Sequence, residues 1–148
     1  KQFHIGGNHL LKPVFNTNSG KAILKIPKHT EWVSKNKIGS FNLTSVRSEG
    51  QFNTMIYRER DVYRNQESRN VLYISQSDIQ SLGLSSGDTV DVASETGVMK
   101  DLILAEYNIK PGNVMTYMPE ANILIPQNAD ERSRTPSFKS VSVTIKNH

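Results

Sequence analysis

The chain of 148 residues has no cysteine, which excludes disulfide bridges, thiolate-held metals, cysteine-ligated iron–sulfur clusters and cysteine nucleophiles together. Aromatic residues make up only 7%, and the Lys and Arg residues are scattered, so the stripe of bases and stacking rings that nucleic acid demands is not there. No apolar run approaches the roughly 18 residues that cross a bilayer, and the start has no charged-then-apolar leader. Neither a nucleic acid nor a membrane is expected as a partner, and a cytoplasmic location is expected. Lys1 opens the chain without an initiator Met, so a piece of a longer polypeptide is the expectation.

What is present describes a chain that folds. Hydrophobic residues at 36% and charged residues at 22% fall in the range of globular domains, and the length suits one buried core. The net charge of +4 attracts anions, whether phosphates of a small ligand, an acidic protein or a polynucleotide. The histidines His4, His9, His29 and His148 stand at no metal-ligand spacing, and there is no G-x-S-x-G elbow, so metal and hydrolase readings have little support.

Residues 1–20, with Gly6, Gly7, Pro13 and Gly20, read as an irregular lead-in, and residues 21–148 as the folded domain. Ala22–Ile26 and Phe41–Val46 alternate as strands, with a helical turn around Trp32–Asn36 between them. Tyr57–Asn70, crowded with charges of both signs, reads as a solvated loop that connects rather than packs. Val71–Ile74 is a short apolar strand, and Ser75 or Ser77 caps a brief helix that ends at Gly83. Ser86-Gly87-Asp88 is a turn into the strand Thr89–Ala93. Gly97 reverses the chain into Val98–Ala105, and Lys110–Asn113 turns it into Val114–Tyr117. Pro119–Leu124 reads as one helical turn and Ser140–Ile145 as a last strand. About seven short strands with turns every ten or so residues predict a small barrel or sandwich, all-β apart from short helices.

Two stretches carry candidate chemistry. In Ser45, Val46, Arg47, Ser48, Glu49, Gly50, Gln51, Phe52, Asn53 and Thr54, a strand runs into polar groups of several kinds. There Gly50 permits close backbone approach, Arg47 and Gln51 offer fork-like or amide hydrogen bonds, and the hydroxyls reach phosphate oxygens. An ordinary turn with a satisfied arginine reads as well on these residues alone. In the second stretch, Asn122 has the donor and acceptor amide groups that suit a heteroaromatic edge, and Lys139 is a mobile cation for a phosphate or ring carbonyl. The plain alternative has Asn122 capping a turn, Phe138 in the core and Lys139 solvated.

The blocks Ser48–Thr54 (SEGQFNT), Gly83–Val92, Pro119–Leu124 (PEANIL) and Phe138-Lys139 stand in the order found in the molybdopterin dinucleotide-binding domain that ends enzymes of the dimethyl sulfoxide reductase superfamily. The chain resembles the formate dehydrogenase-like branch most, and Phe15–Ala22 resembles that branch's connection into the domain. The resemblance implies a six-stranded double-psi β-barrel, the aspartate decarboxylase-like fold. It implies molybdopterin guanine dinucleotide as cofactor, touched by Ser45–Thr54, Asn122 and Lys139, with the molybdenum held by a parent enzyme whose upstream domains are this chain's partners. The family's metal-ligating residue lies in those upstream domains, so the domain alone is expected to be inactive. A barrel serving as a protein- or nucleic-acid-interaction module is the alternative. A self-cleaving decarboxylase of the same barrel would need a Gly-Ser bond, for which Gly39-Ser40 is the candidate.

Overall fold

The computed structural model describes residues 14–26 and 39–147. The chain divides into two compact units, Lys1–Ser34 and Lys35–His148. In the first unit a turn closes from Gly20 N–H to Thr17 O at 2.9 Å, with Gly20 at φ 65°. Ala22–Ile26, expected as a strand, forms none, and Leu24 and Ile26 are exposed. Alternation marks a segment that suits a sheet, but a strand exists only when its N–H and C=O groups find a ladder. The helical turn expected around Trp32–Asn36, most of the lead-in and all four histidines lie outside the described residues.

The second unit is a closed barrel of six strands. These are β1 (Phe41–Val46), β2 (Val71–Ile74), β3 (Thr89–Ala93), β4 (Val98–Glu106), β5 (Asn113–Tyr117) and β6 (Val141–Asn147), in the order β1-β5-β2-β4-β3-β6. β1 runs parallel to β5, and β2 parallel to β4, while the remaining neighbours are antiparallel. This is the double-psi β-barrel expected from the motifs. Closure leaves no sheet edge to be covered.

Each strand has the alternation its place requires. β1 places Phe41, Leu43 and Ser45 in the interior and leaves the residues between them half-buried. β2 is buried along its whole length because both of its faces are covered. Leu72 and Ile74 point into the main core with Val90, Val92, Leu102, Leu104, Val114 and Val143. Val71 and Tyr73 face a second cluster with Ala105 and Tyr117. Complete burial of one such aliphatic side chain is worth about 1.5–3 kcal/mol, so the interior layer dominates the stability of the barrel.

Ser75 caps the helix α1 (Gln76–Ser81) by accepting from Asp78 N–H at 3.1 Å, and the hydroxyl donates to Asp78 Oδ2 at 2.8 Å. Gly83 at φ 67° stops the helix, with Leu84 N–H returning to Ile79 O. Gly87, at φ 96°, makes the turn expected of it.

Most of the segment from Tyr57 to Asn70 is exposed, as expected of a solvated connection, but two of its charged residues correct that expectation. Asp61 is 0% and Arg69 4% exposed, since this segment lies over Tyr73 and Tyr117 on the outer face of β2 and β5. Mixed charges look solvated in a sequence, yet opposite charges that pair can be buried at tolerable cost.

Candidate cofactor-binding site

Three stretches distant in sequence meet at one end of the barrel. Parallel β1 and β5 are in register from Asn42 opposite Asn113 to Val46 opposite Tyr117, so the chain leaves both strands at the same end. β6 is antiparallel to β1, so the residues ahead of it arrive there too. Met118 N–H donates to Val46 O at 2.9 Å, and Ser45 N–H and Oγ both donate to Phe138 O, at 3.2 and 2.9 Å.

Between these stretches lies a groove of about 340 Å³. Ser45 and Arg47 line it from the first, Asn122 from the second and Phe138 from the third, with Ile125 and Pro126 adding apolar wall. Lys139 stands at its margin, donating through Nζ to Ser45 O, with the ammonium 5.2 Å from the Phe138 ring centre. Burial, reinforced by Arg47, pulls the Lys139 ammonium below the usual lysine range. Two hollows elsewhere, one beside α1 and one beside β6, are larger, but neither is lined by a cation.

The ten residues Ser45–Thr54 divide by role. Val46 packs against the second core cluster. Ser48 is buried beneath the groove. Glu49 is held by its N–H to Asp61 Oδ1 at 3.4 Å, and Gly50 turns the chain at φ 69°. Gln51 is spent internally: Oε1 accepts from Ser48 N–H at 3.1 Å, and Nε2 donates to Met118 O and Asn53 O, each at 2.9 Å. Phe52, Asn53 and Thr54 are exposed beyond the groove, with Asn53 Oδ1 taking a 3.4 Å bond from Arg47 Nη2.

Asn122 lies on the 3₁₀ turn η1 (Glu120–Leu124), which follows a cis Met118–Pro119 peptide. The turn is buttressed by the β3–β4 hairpin. A Cβ on Gly97 would lie 2.5 Å from Ile123 O. Gly97 is therefore required by a close approach to η1, and no positive φ is involved.

Beneath the groove lies a buried polar network that the sequence reading left as solvated. Asp61 accepts from Tyr117 OH at 2.6 Å, Arg64 Nη1 at 2.5 Å and Tyr63 N–H at 3.0 Å. Burial alone raises the Asp61 pKa, but the Tyr117 hydroxyl and Arg64 outweigh it and hold the carboxyl below its ordinary value. Burial and the neighbouring Asp61 carboxylate push the Tyr117 phenol far up, so it stays a hydroxyl donor. Arg69 donates to both oxygens of Glu120, at 2.6 and 2.9 Å, to Ser48 Oγ at 2.6 Å and to Met118 O at 2.7 Å. The one available signal was position: Arg69 stands two residues ahead of a strand with no polar side at all.

The donor set suits a phosphorylated heteroaromatic ligand. The Arg47 guanidinium and the Ser45 hydroxyl lie on one side of the groove with Lys139 at its margin, an amide with both donor and acceptor groups faces the other, and an apolar wall lies between. A barrel with such a groove at the end of its parallel strands can hold a ligand there. Among the described residues, no group of His, Cys, Asp or Glu is arranged to hold a metal ion, and no helix is long and apolar enough to cross a membrane.

The family model described as "Molydopterin dinucleotide binding domain" matches residues 41–142, and the chain belongs to that family. Its cofactor is accordingly molybdopterin guanine dinucleotide. An uncharacterized oxidoreductase of Mycobacterium tuberculosis is 34% identical over 142 residues, covering 88% of this chain and 18% of that protein. Protein YdeP of Escherichia coli is 29% identical over 159 residues, covering 96% of this chain and 21% of its own length. The chain thus spans about a fifth of the relatives it matches. Acetylene hydratase from Pelobacter acetylenicus shares the fold, with a TM-score of 0.58 at 17% identity over 73% of this chain and 18% of that one.

Proposed function

We propose that the barrel is the cofactor-holding domain of a molybdenum oxidoreductase of the formate dehydrogenase-like branch, and that residues 1–20 are the lead-in from its upstream domains. The observation that carries this reading is the convergence of Arg47 and Asn122 on one groove beside Phe138, with Lys139 at its margin. Arg47 and Lys139 face phosphate oxygens, Asn122 pairs with a ring edge, and the Ser45–Thr54 stretch supplies one side of the groove through Ser45 and Arg47. At about 340 Å³ the groove is at the small end of ligand sites, so it takes one end of the dinucleotide and leaves the rest to other domains. When bound, the cofactor supplies a molybdenum centre that exchanges two electrons with substrate. This chain's residues bind and orient, and the domain alone turns nothing over.

The name of the mycobacterial relative supports the oxidoreductase class, and the SEGQFNT and PEANIL blocks support the formate branch. The same reading has a cytoplasmic protein with its own upstream domains as partners and neither nucleic acid nor membrane. Calorimetric titration with guanosine diphosphate tests the site. Arg47→Ala and Lys139→Ala should each weaken binding relative to wild type, and equal response in all three would remove the assignment. Formate-dependent dye reduction by the full-length parent tests the branch.

A further inference from the structure

We infer that Arg69 is a positioning residue that sets the width of the cofactor groove, an inference that rests on the reading above. Arg69 does not itself line the groove; its one contact with a lining residue is the bond to Met118 O. It lies 4% exposed on the segment that leads into β2, and its guanidinium ties together the two stretches that form opposite sides of the groove. Nη1 holds Ser48 Oγ in the loop that carries Arg47. Nη2 holds Met118 O, while Nε and Nη2 together grip the Glu120 carboxylate at the start of the turn that carries Asn122. The plane lies over the Tyr117 ring with 4.7 Å to its centre.

A planar fork with donors in fixed directions can hold three acceptors at set separations, and an ammonium on a flexible stem cannot. Gln51 spans the same gap, donating to Met118 O while its Oε1 accepts from Ser48 N–H, and Arg69 Nη2 reaches that Oε1 at 3.4 Å. The two side chains form a single brace. Glu120 is 35% exposed at its side chain, so the brace runs from the covered face of β5 out to the protein surface at the start of η1. Burial opposes ionisation of Glu120, but the Arg69 fork overrides it and holds this carboxyl below its ordinary range, keeping the pair charged. A site whose walls are held by such a brace does not have to be ordered when the ligand arrives.

The absence of cysteine makes a direct test clean. Thr54→Cys and Ile123→Cys put spin labels on exposed positions of the two stretches, and pulsed dipolar spectroscopy reads the distribution of distances between them. Arg69→Lys and Arg69→Met should broaden that distribution in the ligand-free chain and raise the Kd for guanosine diphosphate about tenfold at a temperature where both variants remain folded. Should Arg69→Met fail to fold, Arg69→Lys and Ser48→Ala, which removes one of the bridged acceptors, carry the test. A distribution in Arg69→Lys as narrow as in wild type overturns the inference, and so does an unchanged Kd in a protein whose binding Arg47→Ala weakens. If Arg47→Ala and Lys139→Ala leave nucleotide binding untouched, the cofactor reading falls, and a broadened distribution in Arg69→Lys still upholds the brace.

Discussion

Replacing Asp61 by Asn tests whether the charged segment before β2 is part of the fold. The Asp61 carboxylate is wholly buried, with Tyr117 OH and Arg64 Nη1 on Oδ2 and the N–H groups of Tyr63 and Glu49 on Oδ1. Asn has one acceptor and one donor end, so either orientation turns an NH₂ group toward two donors. It also leaves Arg64, whose side chain is 19% exposed, without its counter-charge. Removing one partner of a buried ion pair costs about 3–5 kcal/mol, and the partial exposure of Arg64 puts this case near the lower figure, about 3 kcal/mol. At about 4–8 °C per kcal/mol for a domain near this size, the melting temperature should fall by about 12 °C or more at neutral pH.

The acid limb provides an independent check. The folded-state pKa of Asp61 is depressed, so its contribution is fully present above the unfolded value of about 3.9 and is lost as pH falls through the folded one. The gap in stability between wild type and Asp61→Asn should therefore narrow below about pH 4. Calorimetric scans across that range decide it. A gap below about 1 kcal/mol at neutral pH, or one that stays constant into acid, would refute burial of an ionised carboxylate here.

Two further outcomes are expected. Gly97→Ala sets a Cβ 2.5 Å from Ile123 O, a clash with backbone that costs about 1–3 kcal/mol; chemical denaturation should show it, and nucleotide affinity should fall as η1 shifts under Asn122. Lys139, with its pKa lowered by burial and then by Arg47, holds phosphate only while protonated. Affinity for guanosine diphosphate should therefore decline with rising pH before ordinary lysines titrate, and calorimetry of Lys139→Ala should lack that limb.

The strands were legible because the barrel's interior is strict about side-chain period. Phe41–Val46 and Thr89–Ala93 alternate where one face meets the core, and the bounds of both strands match. Ala22–Ile26 alternates equally well and forms no strand, since no local pattern records whether a ladder partner exists. The network of Asp61, Arg64 and Arg69 was illegible for a related reason. Charge looks solvated in a sequence until its counter-charge is located, and Glu120, which answers Arg69, comes 51 residues later in the chain, just past the neighbouring strand β5. The groove residues were found through their motifs rather than their chemistry. Arg47 and Asn122 each sit in a stretch that reads equally well as a plain turn, and only the strand order makes them neighbours.

That strand order has a consequence of its own. Where two strands run parallel and a third returns antiparallel beside them, the loops after the first two and ahead of the third share one end of the barrel whatever their sequences. The meeting of Arg47, Asn122 and Lys139 is thus owed to the ladder of β1 with β5 and β6, while what the meeting place can hold is owed to the loops. Interior changes such as Leu43→Ala should lower stability by about 2–5 kcal/mol and spare the specificity of the groove. Arg69 stands between these classes, because its buried fork joins the loops to each other across the outer face of β5. A substitution there reaches the ligand without touching it, and lowers affinity and stability together where a change in the interior lowers stability alone.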